Sequence, residues 1–116
     1  MPLALFAAIH VRDRAAAIAW YSRLLGAAPV FLPNDVEAVW ELAEHRYLYV
    51  EEGTEHVGHS RLTAFLDDLD GFLTTARGRG LEPDLVETYD NGVRKAIFRD
   101  PDGNEIGFGG APLTGH

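Results

Sequence analysis

The sequence contains no cysteine among its 116 residues, so neither disulfide bonds nor thiolate chemistry can contribute to its fold or function. No apolar run approaches the roughly 18 residues that a membrane-spanning helix needs. Residues 1–5 include no basic side chain, so a secretory signal peptide is not expected. These absences favour a cytoplasmic protein.

Basic residues are also scarce, because only 10 Lys and Arg stand against 18 Asp and Glu, which gives a formal net charge of −8. Nucleic acids and anionic membranes repel such a surface, so we expect neither as a partner. Hydrophobic residues make up 47% of the sequence, which is enough for one folded domain over residues 1–116.

The chain divides into two halves, about 1–57 and about 58–116, that show the same order of patterns. Each half begins with an apolar run, which is followed by a helix-capping Asp and a helical repeat that ends at glycine. Three strand-like segments come after each helix. They lie near 28–32, 36–43 and 46–51 in the first half, and near 82–89, 92–99 and 104–109 in the second.

An offset of about 55 residues aligns the two halves, since it places Asp13 on Asp68 and Ile18 on Leu73. A βαβββ unit that is used twice is the simplest account of this repeat. The sequence therefore predicts an α+β fold with two βαβββ modules.

Strand alternation gives each predicted sheet one apolar face for its helix and one mixed face. The mixed faces are rich in aromatic and charged side chains, which favours a cup over a solvated sheet. Alternation fixes the register of the Trp40 strand less well than that of the others. The predicted ligand-binding residues of the cups are Phe6, His10, Trp40, Tyr47, Tyr49, Arg61, Phe65, Lys95 and Ile97. Packing of Tyr47 and Tyr49 in an interface is the alternative.

Three segments, in this order, carry a family resemblance. They read V-R-D-R-A-A-A-I-A-W-Y-S-R-L-L-G over 11–26, F-L-D-D-L-D-G-F over 65–72 and F-R-D-P-D-G-N-E-I over 98–106. They resemble the first-helix signature, its second-module counterpart and the Asp-Pro-Asp-Gly-Asn turn of the vicinal-oxygen-chelate superfamily. That superfamily includes glyoxalase I, extradiol dioxygenases, fosfomycin-resistance enzymes and bleomycin-binding proteins. Asp100 and Asp102 are therefore expected to shape a turn rather than to form a catalytic pair.

The resemblance implies a glyoxalase/bleomycin-resistance-like fold in which two modules form cup-shaped mixed sheets. It also implies a homodimer, because short members of the family combine the first module of one chain with the second module of the other in each cup.

The family's metal-ligand positions carry residues that do not make up a set of metal ligands. By resemblance these positions are Phe6 in the first strand, Arg61 in its second-module counterpart and Gly107 in the last strand, with Tyr49 at a further position used by some members. Transition metals in such a site need imidazole nitrogen or carboxylate oxygen, and arginine stays protonated. We therefore expect no metal ion and no other cofactor.

The sequence leaves two kinds of function open. The first is a metal-independent protein that binds a small hydrophobic, aromatic or drug-like molecule, as bleomycin-resistance-type sequestering proteins do, with Arg61 and Lys95 available to an anionic group. The second is an enzyme. It would be a metal-dependent lyase, isomerase or dioxygenase with displaced ligands, or a metal-free catalyst with His10 or Glu105 as general base. The displaced ligands would come from His10, Glu51, His59 and Glu105.

Overall fold

A computed structural model of the protein describes residues 3–111. Its elements are β1 (Leu5–Val11), α1 (Arg14–Leu25), β2 (Glu37–Ala43), β3 (Arg46–Glu52), β4 (Arg61–Leu66), α2 (Leu69–Gly78), β5 (Leu85–Thr88), β6 (Arg94–Arg99) and β7 (Glu105–Gly110). One sheet has the order β1-β3-β2, and the other has the order β4-β7-β6-β5. In each sheet the first strand pairs in parallel with the last strand of its module, and the other pairs are antiparallel. The predicted α+β fold with two βαβββ-like modules is confirmed.

Both helices begin at the predicted aspartates. The Asp13 carboxylate accepts hydrogen bonds from the backbone N–H groups of Ala15 and Ala16, and the Asp68 carboxylate accepts one from Gly71. The first helix ends at Gly26, whose φ of 73° lies in the left-handed region that glycine adopts without strain.

The strand expected near 28–32 is reduced to a single bridge between Phe31 and Val39. Pro29 lies within this segment and Pro33 follows it, and proline has no N–H to donate to a strand ladder. The segment therefore crosses the edge of the first sheet without becoming a regular strand, and it brings exposed apolar side chains beside that sheet.

One hydrophobic core lies on the helix-facing sides of both sheets. Ile9 and Val50 of the first sheet and Phe98 and Ile106 of the second are at most 1% exposed and belong to the same cluster. Because the core takes one face of each sheet, the opposite faces of β1–β3 and β4–β7 are left for other contacts. Within residues 3–111, neither helix is long and apolar enough to cross a membrane.

A buried polar network connects the two modules beside this core. The hydroxyl of Tyr21 donates to Asp100 Oδ2 at 2.7 Å, and Asn104 Nδ2 donates to the same oxygen at 2.8 Å. Asn104 Nδ2 also donates to the carbonyl oxygen of His10, and its Oδ1 accepts from the N–H of Ser60, both at 2.9 Å. The network thus joins α1, β1 and the β6–β7 turn. The carboxylate of Asp100 also accepts two backbone N–H groups of that turn, as its expected turn-forming role requires.

Candidate ligand-binding site

The open face of the first sheet carries three rows of side chains across β1, β3 and β2. The strand register defines these rows as Phe6–Tyr47–Glu41, Ala8–Tyr49–Val39 and His10–Glu51–Glu37. The face therefore has aromatic rings in its first two rows and carboxylates at its ends.

The aromatic rings line a cleft of about 290 Å³, which we call the aromatic half-cup. The rings of Phe6 and Tyr47 are stacked, with centroids 4.6 Å apart and planes inclined by 14°. Tyr49 meets Phe6 edge to face at 6.4 Å. Phe6 remains 53% exposed, so its ring is available to a bound molecule. The full lining is Phe6, Val30, Phe31, Pro33, Glu37, Val39, Tyr47 and Tyr49.

Carboxylates affect the aromatic half-cup at both ends. Desolvation and the adjacent charge of Glu41 raise the pKa of Tyr47 above its ordinary value, so this residue keeps its hydroxyl proton. At the other end, Asn34 Nδ2 donates to Glu37 Oε1 at 2.6 Å and holds the Glu37 carboxylate beside the cleft.

The second sheet forms a separate cleft of about 350 Å³, which we call the polar half-cup. Its lining residues are Arg61, Leu62, Thr63, Lys95, Ile97, Glu105 and Gly107. The Nε atom of Arg61 lies 3.8 Å from Glu105 Oε1, and Lys95 stands directly opposite Glu87 in the β5–β6 ladder. Arg61 therefore has an acidic neighbour, whereas no carboxylate of the described residues lies within 4.0 Å of the Lys95 ammonium.

Two glycines of β7 let larger side chains lie flat on this sheet. A Cβ atom at Gly107 would be 2.7 Å from Cε of Lys95, and one at Gly109 would be 2.9 Å from the Phe65 ring. Phe65 is 66% exposed and thus covers Gly109 from the solvent side.

His10 lies in a third cleft, of about 300 Å³, together with Glu51 and His56. The rings of His10 and His56 meet edge to face with centroids 5.6 Å apart. The predicted residues are therefore not brought together within one chain. Phe6, Tyr47 and Tyr49 share the aromatic half-cup, whereas His10 is separate from them.

The predicted placement of Trp40 on the open face is wrong. This side chain is 1% exposed, packs beside Tyr21 in the core and donates its indole N–H to the carbonyl oxygen of Ala27 at 3.0 Å. Val39 takes the open face instead. The segment Ala38-Val39-Trp40 is entirely apolar, so alternation could not reveal its register.

The residues at the family's metal positions do not fit a divalent cation. Phe6 is engaged in an aromatic stack, Gly107 has no side chain to offer, and the guanidinium of Arg61 would repel a metal ion. Over residues 3–111, no three His, Cys, Asp or Glu side chains are arranged to hold a metal ion. Of the displaced ligands considered from the sequence, His10 and Glu51 share one cleft while Glu105 lines another.

Sequence reasoning missed the residues contributed by the segment after α1. Val30 and Phe31, which are 60% and 55% exposed, and Pro33 complete the aromatic half-cup. An apolar run between two prolines was a usable signal, because such a run cannot enter the interior of a sheet and must cover something else.

This geometry defines a class of protein with paired βαβββ modules, each presenting an open, cup-like sheet face. The model of the Glyoxalase/Bleomycin resistance protein/Dioxygenase superfamily matches residues 4–108. The chain belongs to this superfamily.

Solved structures agree with the assignment. The chain is 52% identical to a glyoxalase/bleomycin resistance protein from Catenulispora acidiphila, with a TM-score of 0.91 and coverage of 96% of this chain and 100% of that one. A lactoylglutathione lyase from Agrobacterium tumefaciens (20% identity, TM-score 0.77, coverage 99% and 98%) shares the fold. So does a bleomycin-binding protein complexed with bleomycin (20% identity, TM-score 0.75, coverage 95% and 98%). No functionally curated protein gave a significant match.

Proposed function

We propose that this protein binds a small aromatic or drug-like molecule without a metal ion, in the manner of bleomycin-resistance-type sequestering proteins, and does so in the cytoplasm. The observation that carries the proposal is the aromatic half-cup itself, where the 53% exposed ring of Phe6, stacked on Tyr47, occupies a place at which metal-dependent relatives would need a ligand. Aromatic faces offer a large contact area, and each offset stack adds about 0.5–1.5 kcal/mol beyond simple burial.

The solved complex of a bleomycin-binding protein supports a sequestering function, because a protein of the same fold holds a drug of that kind. Fold alone does not determine function, so the argument depends on the chemistry of the cleft. Its lining offers aromatic and aliphatic surface with a single charged residue, Glu37. Such a surface suits capture by stacking better than it suits bond-breaking chemistry.

We further propose a homodimer in which each cup joins the aromatic half-cup of one chain to the polar half-cup of its partner. Charge complementarity supports this pairing. The open face of the first sheet carries Glu37, Glu41 and Glu51, and the polar half-cup carries Arg61 and Lys95 with one carboxylate, Glu105. A ligand that stacks on Phe6 and Tyr49 would then also meet Arg61, Lys95, Phe65 and Ile97 of the second half-cup.

A thermal-shift screen of aromatic drugs and natural products tests the binding function. A ligand is expected to raise the unfolding temperature of the wild-type protein and to lose most of this effect with Phe6→Ala. The matched control is Val86→Ala, which truncates a side chain of similar exposure (51% against 53%) that lines none of the clefts described above. Ligands that stabilise wild type and Phe6→Ala equally would contradict binding in the aromatic half-cup.

Two further measurements test the metal-free dimer. Light scattering should report twice the chain mass of 12.8 kDa, and a monomer at micromolar concentration would contradict the shared cup. Metal analysis after incubation with zinc, nickel, manganese and ferrous iron should find negligible retention. Retention near one ion per chain would instead support the lyase, isomerase or dioxygenase function with His10, Glu51, His59 and Glu105 as ligands.

A further inference from the structure

Lys95 is the only lysine among the 10 basic residues of the sequence, and it lines the polar half-cup. The guanidinium of arginine stays protonated in proteins, whereas the amino group of lysine can lose a proton and attack a carbonyl carbon. Apart from the α-amino group of the chain, the side chain of Lys95 is therefore the one primary amine that this protein can offer to a carbonyl compound.

The amine of Lys95 is not held in an ion pair. Within residues 3–111, no carboxylate oxygen lies within 4.0 Å of its nitrogen. Its partner in the β5–β6 ladder is Glu87, but the Glu87 carboxylate accepts a hydrogen bond from the hydroxyl of Tyr89 at 3.1 Å. The nitrogen is thus available to a molecule that enters the cleft.

Gly107 provides the space in which the end of this side chain lies. A Cβ atom at Gly107 would be 2.7 Å from Cε of Lys95 and 3.1 Å from Oγ1 of Thr63. The end of the lysine chain and the threonine hydroxyl therefore converge on the same point of the sheet surface. Lys95 is half-buried, so its stem lies along the sheet instead of extending freely into the solvent.

Arg61 and Glu105 occupy the neighbouring row of the same cleft. They are register partners, and they stand two residues along the strands from Thr63 and Gly107, a separation of about 7 Å. The Arg61 side chain is 74% exposed and approaches Glu105 through Nε at 3.8 Å, so its terminal nitrogens can bind a carboxylate of a ligand. The carboxylate of Glu105 can accept a proton and return it.

We propose that Lys95 forms a reversible imine with aldehydes or ketones that carry a carboxylate, which Arg61 binds. The Lys95 ammonium gives a proton to Glu105, and its nitrogen lone pair forms a C–N bond while the C=O π pair moves to oxygen, which takes the proton back from Glu105 beside the Thr63 hydroxyl. A second proton passes from the nitrogen to this new hydroxyl group, which leaves as water while the C=N bond forms. The ammonium and the carbonyl compound thus yield a protonated imine and one water, without an oxidant or reductant.

This activity goes beyond the proposed binding function, because Arg61, Thr63, Lys95 and Glu105 all belong to one chain. Neither the aromatic half-cup nor the dimer is needed for it. In the shared cup proposed above, the same amine would face the bound molecule.

Reductive trapping tests the inference. The purified protein is incubated at about pH 8, where carboxylates are ionised, with 4-carboxybenzaldehyde and sodium cyanoborohydride. Reduction converts the imine into a secondary amine that adds the mass of the aldehyde less one oxygen, and peptide mapping should place it on Lys95. Lys95→Arg keeps the charge and should be labelled at the α-amino group alone.

The matched control moves the single lysine to an exposed position of the same strand, by combining Lys95→Arg with Arg99→Lys. Its lysine should be labelled roughly 10-fold more slowly than Lys95 or slower still, because an exposed amine does not hold the aldehyde beside it. Urea-denatured wild type should lose this advantage. Equal rates for the two folded proteins, or no labelling of Lys95, would overturn the inference.

A neutral probe of the same shape, methyl 4-formylbenzoate, tests the role of Arg61. Each rate is divided by that of the relocated lysine, which corrects for the different intrinsic reactivity of the two aldehydes. Wild type should then prefer the carboxylate by roughly 10-fold, as expected for one charge-assisted contact, and Arg61→Gln should lose most of this preference. An unchanged preference would overturn the assigned ligand class, while the Phe6→Ala screen decides binding in the aromatic half-cup separately.

Discussion

Replacement of Tyr21 by Phe removes one buried hydroxyl and tests whether the polar network holds the two modules together. Tyr21 is 0% exposed, and its only polar group donates to Asp100 Oδ2 at 2.7 Å. Phenylalanine fills the same space without that hydroxyl, so the change leaves essentially no cavity. A hydrogen bond to a charged acceptor contributes about 1.5–3 kcal/mol, and Tyr21→Phe should lower the free energy of unfolding by about that amount.

Urea denaturation at about pH 7.5, followed by far-UV circular dichroism, measures this difference. Tyr89→Phe is the matched control, because the Tyr89 hydroxyl donates to Glu87 Oε1 at 3.1 Å on a side chain that is 45% exposed. The control should stay within about 0.5 kcal/mol of wild type. A Tyr21→Phe protein as stable as the control would refute the claim that this contact stabilises the fold.

The stability difference between wild type and Tyr21→Phe should also depend on pH in the alkaline range. Burial, together with the charge and hydrogen bond of Asp100, raises the pKa of Tyr21 above its ordinary value of 10.0. The folded state therefore keeps this proton at a pH where the unfolded chain loses it, so the stabilisation is complete below pH 10.0 and decreases as the pH rises above it. At about pH 10.5 the stability difference between wild type and Tyr21→Phe should narrow by about 0.8 kcal/mol. A constant difference would contradict the assigned pKa direction.

Two further substitutions test the junction between the modules by the same urea assay. Asn104→Ala removes three hydrogen bonds of a fully buried side chain and should cost about 3 kcal/mol or more, whereas Asn91→Ala, which loses one bond at an exposed turn, should cost less than about 1 kcal/mol. Equal costs would show that burial at position 104 is unimportant. Gly58→Ala should destabilise by about 2 kcal/mol or more, because Gly58 has a φ of 81° and an added Cβ would meet the carbonyl oxygen of Asp102. Gly53→Ala, which meets nothing within 4 Å, should be neutral, and similar effects of the two would disprove the clash.

Local rules predicted both helices and all the regular strands of this fold, because those rules act within a few residues, but they also predicted a strand near 28–32 that is only a single bridge. Asp13 and Asp68 cap helices through N–H groups two or three positions away, and Gly26 ends a helix through its own φ. The internal repeat then extended these local signals to two similar modules. Each of these features is encoded where it occurs, so the sequence was sufficient.

The candidate site was predicted less completely, because it depends on how separate segments meet. Alternation assigned Phe6, Tyr47 and Tyr49 to one open face, and the structure places all three in the aromatic half-cup. It misplaced Trp40, since three consecutive apolar residues of β2 carry no alternating signal. It also could not foresee that Phe31 would come from a segment without regular structure, which tertiary packing alone brings beside the sheet.

In the polar half-cup, the glycine at position 107 and the position of the Lys95 side chain depend on each other. Gly107 stands where the acidic ligand would be by resemblance, and the space that its missing side chain leaves is taken by Cε of Lys95. Gly109, one alternation further along β7, is covered in the same way by the ring of Phe65. A side chain at position 107 would require Lys95 to move, and if that side chain were a carboxylate, the Lys95 ammonium would compete with a metal ion for it. The position of Lys95 over Gly107 therefore supports the proposed role of the second sheet as a ligand-contacting surface.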